Sequence, residues 1–155
     1  MTTQDHSTRY LPPGRVMRAL RFNGLVSFLV KRGVDVWGSR VLTVRGRKSG
    51  EPRSTPVNLL DHDGALYLLS PRGHTQWVRN LRASGTGELT LGKRTRTFTA
   101  VEVPDATKAP LLRAYLKRWA FETGAFFDGL TAKSPDADLL AAAPKHPAFR
   151  ITYTD

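Results

Sequence analysis

The sequence predicts a mainly β, α+β domain: a small β-barrel of about six antiparallel strands, with an N-terminal helix and C-terminal helices appended. Three observations predict it. From Arg40 onward the chain breaks into short β-type runs bounded by turn residues. Helices do not alternate regularly with those runs, which argues against a doubly wound parallel sheet. No linker, internal repeat or low-complexity tract divides the 155 residues, a length that suits one domain able to bury a real core. The expectation is one domain over 1–155, with 1–13 flexible and a helix over 14–32.

That first helix runs from about Gly14 to Arg32, with Pro12 and Pro13 at its entrance. Arg15, Arg18 and Arg21 lie in its first half, "LVSFLV" in the second, and Lys31 and Arg32 at the end, so charge separates along the axis. Next come "VLTVRG", "RSTPVNLL" and "ALYLLS", the last two joined by the hairpin turn "DHDG". The polar stretch "HTQWVRNLRAS" places Trp77 and Leu81 at helical spacing and ends near Gly85, which predicts a short helix. Two strands follow, "GELTLG" and "RTFTAVEV", joined at Gly92 and Lys93. Asp105 is the expected N-cap of a helix through "ATKAPLLRAYLKRWAFE", where Leu112, Tyr115, Leu116 and Trp119 recur three or four apart. A short helix around "DADLLAAA" and a last strand, "AFRITY", complete the pattern.

Charge narrows the partner. With 24 Lys and Arg against 13 Asp and Glu, the formal charge is +11 and the isoelectric point is near 10.7. A field of that sign concentrates anions: nucleic acid, an anionic membrane surface, or a phosphorylated or carboxylated small molecule. Cysteine is absent, which excludes disulfides, thiolate nucleophiles and cysteine metal sites. The opening "MTTQDHSTRYLPPGR" lacks a secretory pattern, so the expected location is cytoplasmic. The helix over 14–32 is too short and too charged to span a bilayer. It fits either packing on the domain or peripheral contact with an anionic membrane.

Several chemistries can be set aside. "GRKSG" is half of a phosphate-binding P-loop, but Arg47 precedes Lys48 where glycine is required and no helical pattern follows. His6, His62, His74 and His146 form no ligand pair, so no metal is expected. A G-x-S-x-G elbow is missing.

What remains is "VRGRKSGEPRSTPVNLL", residues 44–60, which puts Arg45, Arg47, Lys48 and Arg53 among Gly46, Gly50 and Pro52 between two strands. Cations on a turn opened by glycines can meet several oxygens of a phosphate, with backbone N–H groups adding to the same concavity. A strongly basic chain would also place arginines on turns by chance. A second element favours the cradle: Ser70, Arg72 and Gly73 end a strand just before a helix N-terminus, where anions are again favoured. Two cradles point to one elongated anionic ligand.

"TVRGRKSGEPRSTPV" followed by "LYLLSPRGHTQWVRNLRASGTGELTLG" resembles the deazaflavin-dependent nitroreductase family, split β-barrel enzymes that bind coenzyme F420. The matching features are the G-R-K-[ST]-G-x-P-R turn and, some twenty residues on, a glycine and a W-x-x-N-L helix. They cover about residues 40–104, and "KHPAFRITY" is similar to the closing strand of some members. The resemblance implies that Lys48, Ser49 and Arg53 hold the phosphate of the cofactor's tail. It further implies that Pro56 and Val57 approach the deazaflavin, that Ser70, Arg72 and Gly73 line its other side, and that Trp77 and Asn80 fix the neighbouring wall. Trp77 also fits a core position, and Asn80 a helix-to-loop hydrogen bond. The implied reaction passes a hydride from the reduced deazaflavin to a conjugated electrophile such as a quinone, an enone or a nitro compound, with cofactor chemistry oriented by the protein.

Tyr115 is the candidate proton donor, with Tyr67 and solvent as alternatives. Where familiar members carry several tyrosines, the C-terminal segment here offers Tyr115, Trp119, Phe121, Phe126 and Phe127, predicting a more apolar pocket for an apolar or aromatic acceptor. The competing readings are an FMN enzyme of the same barrel type, a non-catalytic F420 binding protein and a basic nucleic-acid-binding barrel. The aromatics cluster in the C-terminal helix rather than alternating with cations along strands, which argues against specific nucleic-acid binding. Both a monomer and a homodimer fit.

Overall fold

Alternating side chains and short glycine turns close the sheet on itself. A computed structural model describes residues 39–155, so the segment 1–13 and the helix expected over 14–32 lie outside the described residues. The strands are β1 (Ser39–Arg45), β2 (Pro52–His62), β3 (Ala65–Leu69), β4 (Thr86–Leu91), β5 (Arg94–Glu102) and β6 (Ala148–Tyr153). They form a closed barrel in the order β1-β2-β3-β6-β5-β4, antiparallel at every pairing. The expected mainly β barrel with appended helices is what the chain forms, and closure removes the sheet edges that would otherwise template aggregation.

The turns follow from their residues. Asp63 (φ 50°) and Gly64 (φ 77°) both occupy the left-handed region between β2 and β3. Two such residues in a two-residue loop match the right-handed twist of the strands they join.

Strand alternation sorts the core into two bodies. Leu42, Leu59, Leu68, Leu89, Phe98 and Phe149 fill the barrel interior, with Val78 and Leu81 from helix α1 (Gln76–Ser84) plugging one end. One residue further along the same strands, Leu60 and Leu69 point outward, into a second cluster. Helix α2 (Ala109–Thr123) covers that face with Leu112, Tyr115, Leu116 and Trp119, each 2% exposed or less. Helix α3 (Asp136–Ala142) adds Leu139.

One boundary differs from expectation. Asp105 does not cap α2: it opens a separate 3-10 turn, Asp105–Thr107, and α2 starts at Ala109. The Asp105 carboxylate instead meets the ammonium of buried Lys108 at 2.6 Å, and the same ammonium donates to the Ala143 carbonyl at 3.1 Å. A charge in the core must be paired, and this pairing ties the start of α2 to the end of α3.

Candidate functional site

The 46–51 loop between β1 and β2 is a built structure. Gly46 N–H donates to the Glu51 carbonyl (2.8 Å) and Gly50 N–H to the Gly46 carbonyl (2.9 Å). Gly50 has φ 73°, a conformation that favours glycine. A Cβ on Gly46 would lie 2.7 Å from Ser49 Oγ, the atom that accepts the Glu51 N–H at 3.2 Å. Tight closure therefore requires glycine at position 46.

The four cations divide in two. The Arg45 guanidinium donates to the Gly50 carbonyl (2.7 Å) and braces the loop. Arg47 reaches α1: its backbone N–H and its guanidinium both donate to Asn80 Oδ1 (3.1 and 2.9 Å), and the guanidinium also meets Gln76 Oε1 (2.9 Å). Lys48 and Arg53 make no hydrogen bond or ion pair among the described residues, yet both line a cavity of about 640 Å³. Two of the cations hold the loop, and two face open space.

That cavity follows β2. Its wall includes each residue from Arg53 to Asn58, a stretch of roughly 17 Å at the rise of an antiparallel strand. The strand is accessible here because β1 pairs with residues 52–58 from one side while β3 pairs only with residues 59–62 on the other. Pro56 and Val57 form the middle of the wall.

Opposite, Ser70 and Arg72 line the cavity and Gly73 does not. Gly73 (φ 93°) is buried and makes the turn: its carbonyl accepts the Ser70 hydroxyl at 2.6 Å and the Thr75 N–H at 2.9 Å. Trp77 is half-buried, packs on the barrel core 6.0 Å from the Phe149 ring centroid, and also reaches the cavity. Asn80 is buried and serves as the loop's anchor, the helix-to-loop bond the sequence allowed for. At the start of α1 Thr75 lines the cavity; its hydroxyl is buried and without a hydrogen-bond partner among the described residues, and no side chain caps the helix.

The far end mixes expected aromatics with polar side chains. Tyr115 and Phe126 line it, but Trp119 and Phe127 are core residues with no exposure and Phe121 is 75% exposed. An amphipathic helix can turn only one face to the cavity, and the others go to core and solvent. Asn58, Glu122 and Thr123 complete this wall. The Asn58 amide donates to the Tyr115 hydroxyl at 3.3 Å while its Oδ1 accepts from Ser39 at 3.4 Å. Burial pushes the Tyr115 hydroxyl well above the ordinary phenol range. The Glu122 carboxyl is also raised, by partial burial and against the hydrogen bond from Asn58.

Sequence reasoning missed Asn58, Thr75, Gln76, Glu122 and Thr123. The helical spacing of Tyr115 and Glu122, seven apart and so on one face, was the available signal for the last two. Among the described residues no group of His, Asp and Glu could hold a metal ion.

The sequence profile of the F420H(2)-dependent quinone reductase family matches residues 20–123, which span both the basic loop and the Tyr115 face. The chain belongs to that family. It is an F420-dependent reductase, and its cofactor is coenzyme F420. A comparison with curated proteins finds no match.

Among solved structures the reductase is similar to an F420-H2 dependent reductase (TM-score 0.53, 17% identity, 77% of this chain and 100% of that one). It is equally similar to a chain described as a domain-swapped dimer (0.53, 17%, 91% and 100%). A protein of unknown function from Agrobacterium tumefaciens is nearly as close (0.52, 18%, 94% and 57%). These likenesses concern the fold, a split β-barrel shared at low identity.

Proposed function

We propose that this reductase holds F420 along β2, with the phosphate of its tail on Lys48, Ser49 and Arg53, and reduces a quinone-like conjugated acceptor at the Tyr115 end. The supporting observation is the pair of unpartnered cations, Lys48 on a loop that Arg45, Arg47 and Asn80 hold in place and Arg53 at the adjoining start of β2. The cofactor's phosphodiester and glutamate tail are multiply anionic, and charge-assisted hydrogen bonds from both cations suit them. Pro56 and Val57 offer backbone and apolar surface to the deazaflavin. Ser70 and Arg72 face it from the opposite wall, with Gly73 shaping their turn, and Trp77 and Asn80 fix the side between. A volume of about 640 Å³ suits a cofactor-sized ligand.

Reduced F420, when bound, supplies a hydride. The chain's own residues bind, orient and exclude water. Tyr115, buried and kept neutral by its surroundings, hydrogen-bonds the acceptor's oxygen and sets it at near-attack distance. In this reading the domain is the whole chain, 1–155, and each residue used comes from a single copy. Among the described residues no helix is long and apolar enough to cross a membrane.

The test is a fluorescence titration with F420 and, in parallel, FMN, followed by turnover of a naphthoquinone, a cyclic enone and a nitroaromatic. Micromolar or tighter binding of F420 alone, with the quinone reduced fastest, is the expected result. Preference for FMN would overturn the cofactor placement, and preference for the nitroaromatic would overturn the acceptor class.

A further inference from the structure

Hydride delivery to a quinone leaves an oxyanion, and the product forms only when that oxygen gains a proton. We propose that the carboxyl of Glu122 is the proton donor, with Tyr115, which Asn58 holds by a hydrogen bond, serving as a hydrogen-bonding partner. This rests on the acceptor end proposed above and assigns its acid.

Geometry comes first. Tyr115 and Glu122 stand two turns apart on one face of α2, and both line the cavity with Thr123 and Phe126. Between them the helix kinks at Trp119, which leaves helical geometry (φ −128°, ψ 15°). The Thr123 hydroxyl donates to the Trp119 carbonyl at 3.0 Å, so the displaced last turn is pinned. The kink and its pin hold residues 120–123 against the cavity.

The two acids at this end differ in fitness. Burial raises the Tyr115 hydroxyl, and a phenol held above its ordinary range stays protonated and is the weaker proton donor near neutrality. Glu122 is raised as well, but a carboxylic acid starts far lower, so raising brings it toward working pH. It is also exposed on its outer side, which lets solvent replace the proton.

Among the described residues the groups around it are few. Asn58 faces it from β2, with Tyr115 and Thr123 from α2 itself. Arg118, one turn back, lies over the Trp119 ring at 4.8 Å, while Arg47, Lys48, Arg53 and Arg72 line the cavity nearer its cationic end.

In the balanced step the acceptor gains two electrons and one hydrogen as hydride. Its oxyanion then takes the Glu122 proton, leaving a carboxylate that water reprotonates. Because the active form is the protonated one, turnover falls as pH rises through the Glu122 titration.

The test uses Glu122→Gln and Glu122→Asp in the full chain. Carbon-13 NMR of the ligand-free protein should show one glutamate carboxyl titrating above the ordinary range, and the Gln variant should lack that signal. F420 affinity should stay within about twofold, since the change is distant from the phosphate cradle. Quinone turnover should fall about 100-fold in the Gln variant, the scale of general acid catalysis, and lose its fall at high pH. The Asp variant should keep that fall at lower turnover. A Gln variant with wild-type turnover and pH profile, or a Glu122 titrating in the ordinary range, would overturn the assignment. Failure of the wild type to bind F420 would overturn the cofactor placement as well, and so separates the two failures.

Discussion

Asn80 shows how one side chain governs the site through the loop it holds. Its Oδ1 accepts both the backbone N–H and the guanidinium of Arg47. Asn80→Ala would orphan that N–H, at a cost of about 1–3 kcal/mol, and loosen the loop that presents Lys48 and Arg53. F420 affinity is expected to fall while the melting temperature moves only a few degrees, which paired fluorescence titration and thermal melts would check. Gly46→Ala should produce a similar loss for a different reason, since the new Cβ would drive Ser49 Oγ from the Glu51 N–H. The cationic half of this site was legible in the sequence because its residues are contiguous and chemically alike. Asn58 was not legible, because 57 residues separate it from the Tyr115 hydroxyl it bonds. Composition and spacing carry no trace of a contact that only barrel closure makes.

At the scale of elements, the strands were readable from their period of two and the turns from glycine and aspartate. The start of α2 was not, because Asp105 has the chemistry of an N-cap but is committed to Lys108. A buried ammonium outcompetes the helix end for the nearest carboxylate. Asp105→Ala should leave that ammonium with only the Ala143 carbonyl and lower stability by about 1–3 kcal/mol, measured by urea denaturation. The β4–β5 pair offers a second check. Gly87 lies opposite Phe98, and a Cβ there would sit 2.7 Å from the ring's Cζ and 3.2 Å from the Thr43 carbonyl. Gly87→Ala is expected to cost about 1–3 kcal/mol through overpacking, with cofactor affinity unchanged once the protein is folded.

On the scale of the whole molecule, the proposed binding mode has the charge of +11 and the cavity's cationic end act together, steering an anionic cofactor toward Lys48 and Arg53. The sequence revealed the sign of the partner, and the fold sets Lys48 and Arg53 on one cavity wall to meet it. Of the aromatics expected in the pocket, Tyr115 and Phe126 line it, while α2 turns Trp119 inward and Phe121 outward. Long-range steering is screened beyond about 10 Å at 0.1 M salt, so the association rate with F420 should drop with added salt while the contacts at the cradle persist. The central claim is that the loop cations hold the cofactor's phosphate. Its most direct test is a fluorescence titration of F420 into the wild type and a folded Lys48→Ala/Arg53→Ala double variant. Charged hydrogen bonds contribute about 1.5–3 kcal/mol each, so affinity should fall by at least a hundredfold in the variant. Unchanged affinity would contradict the account and move the phosphate elsewhere.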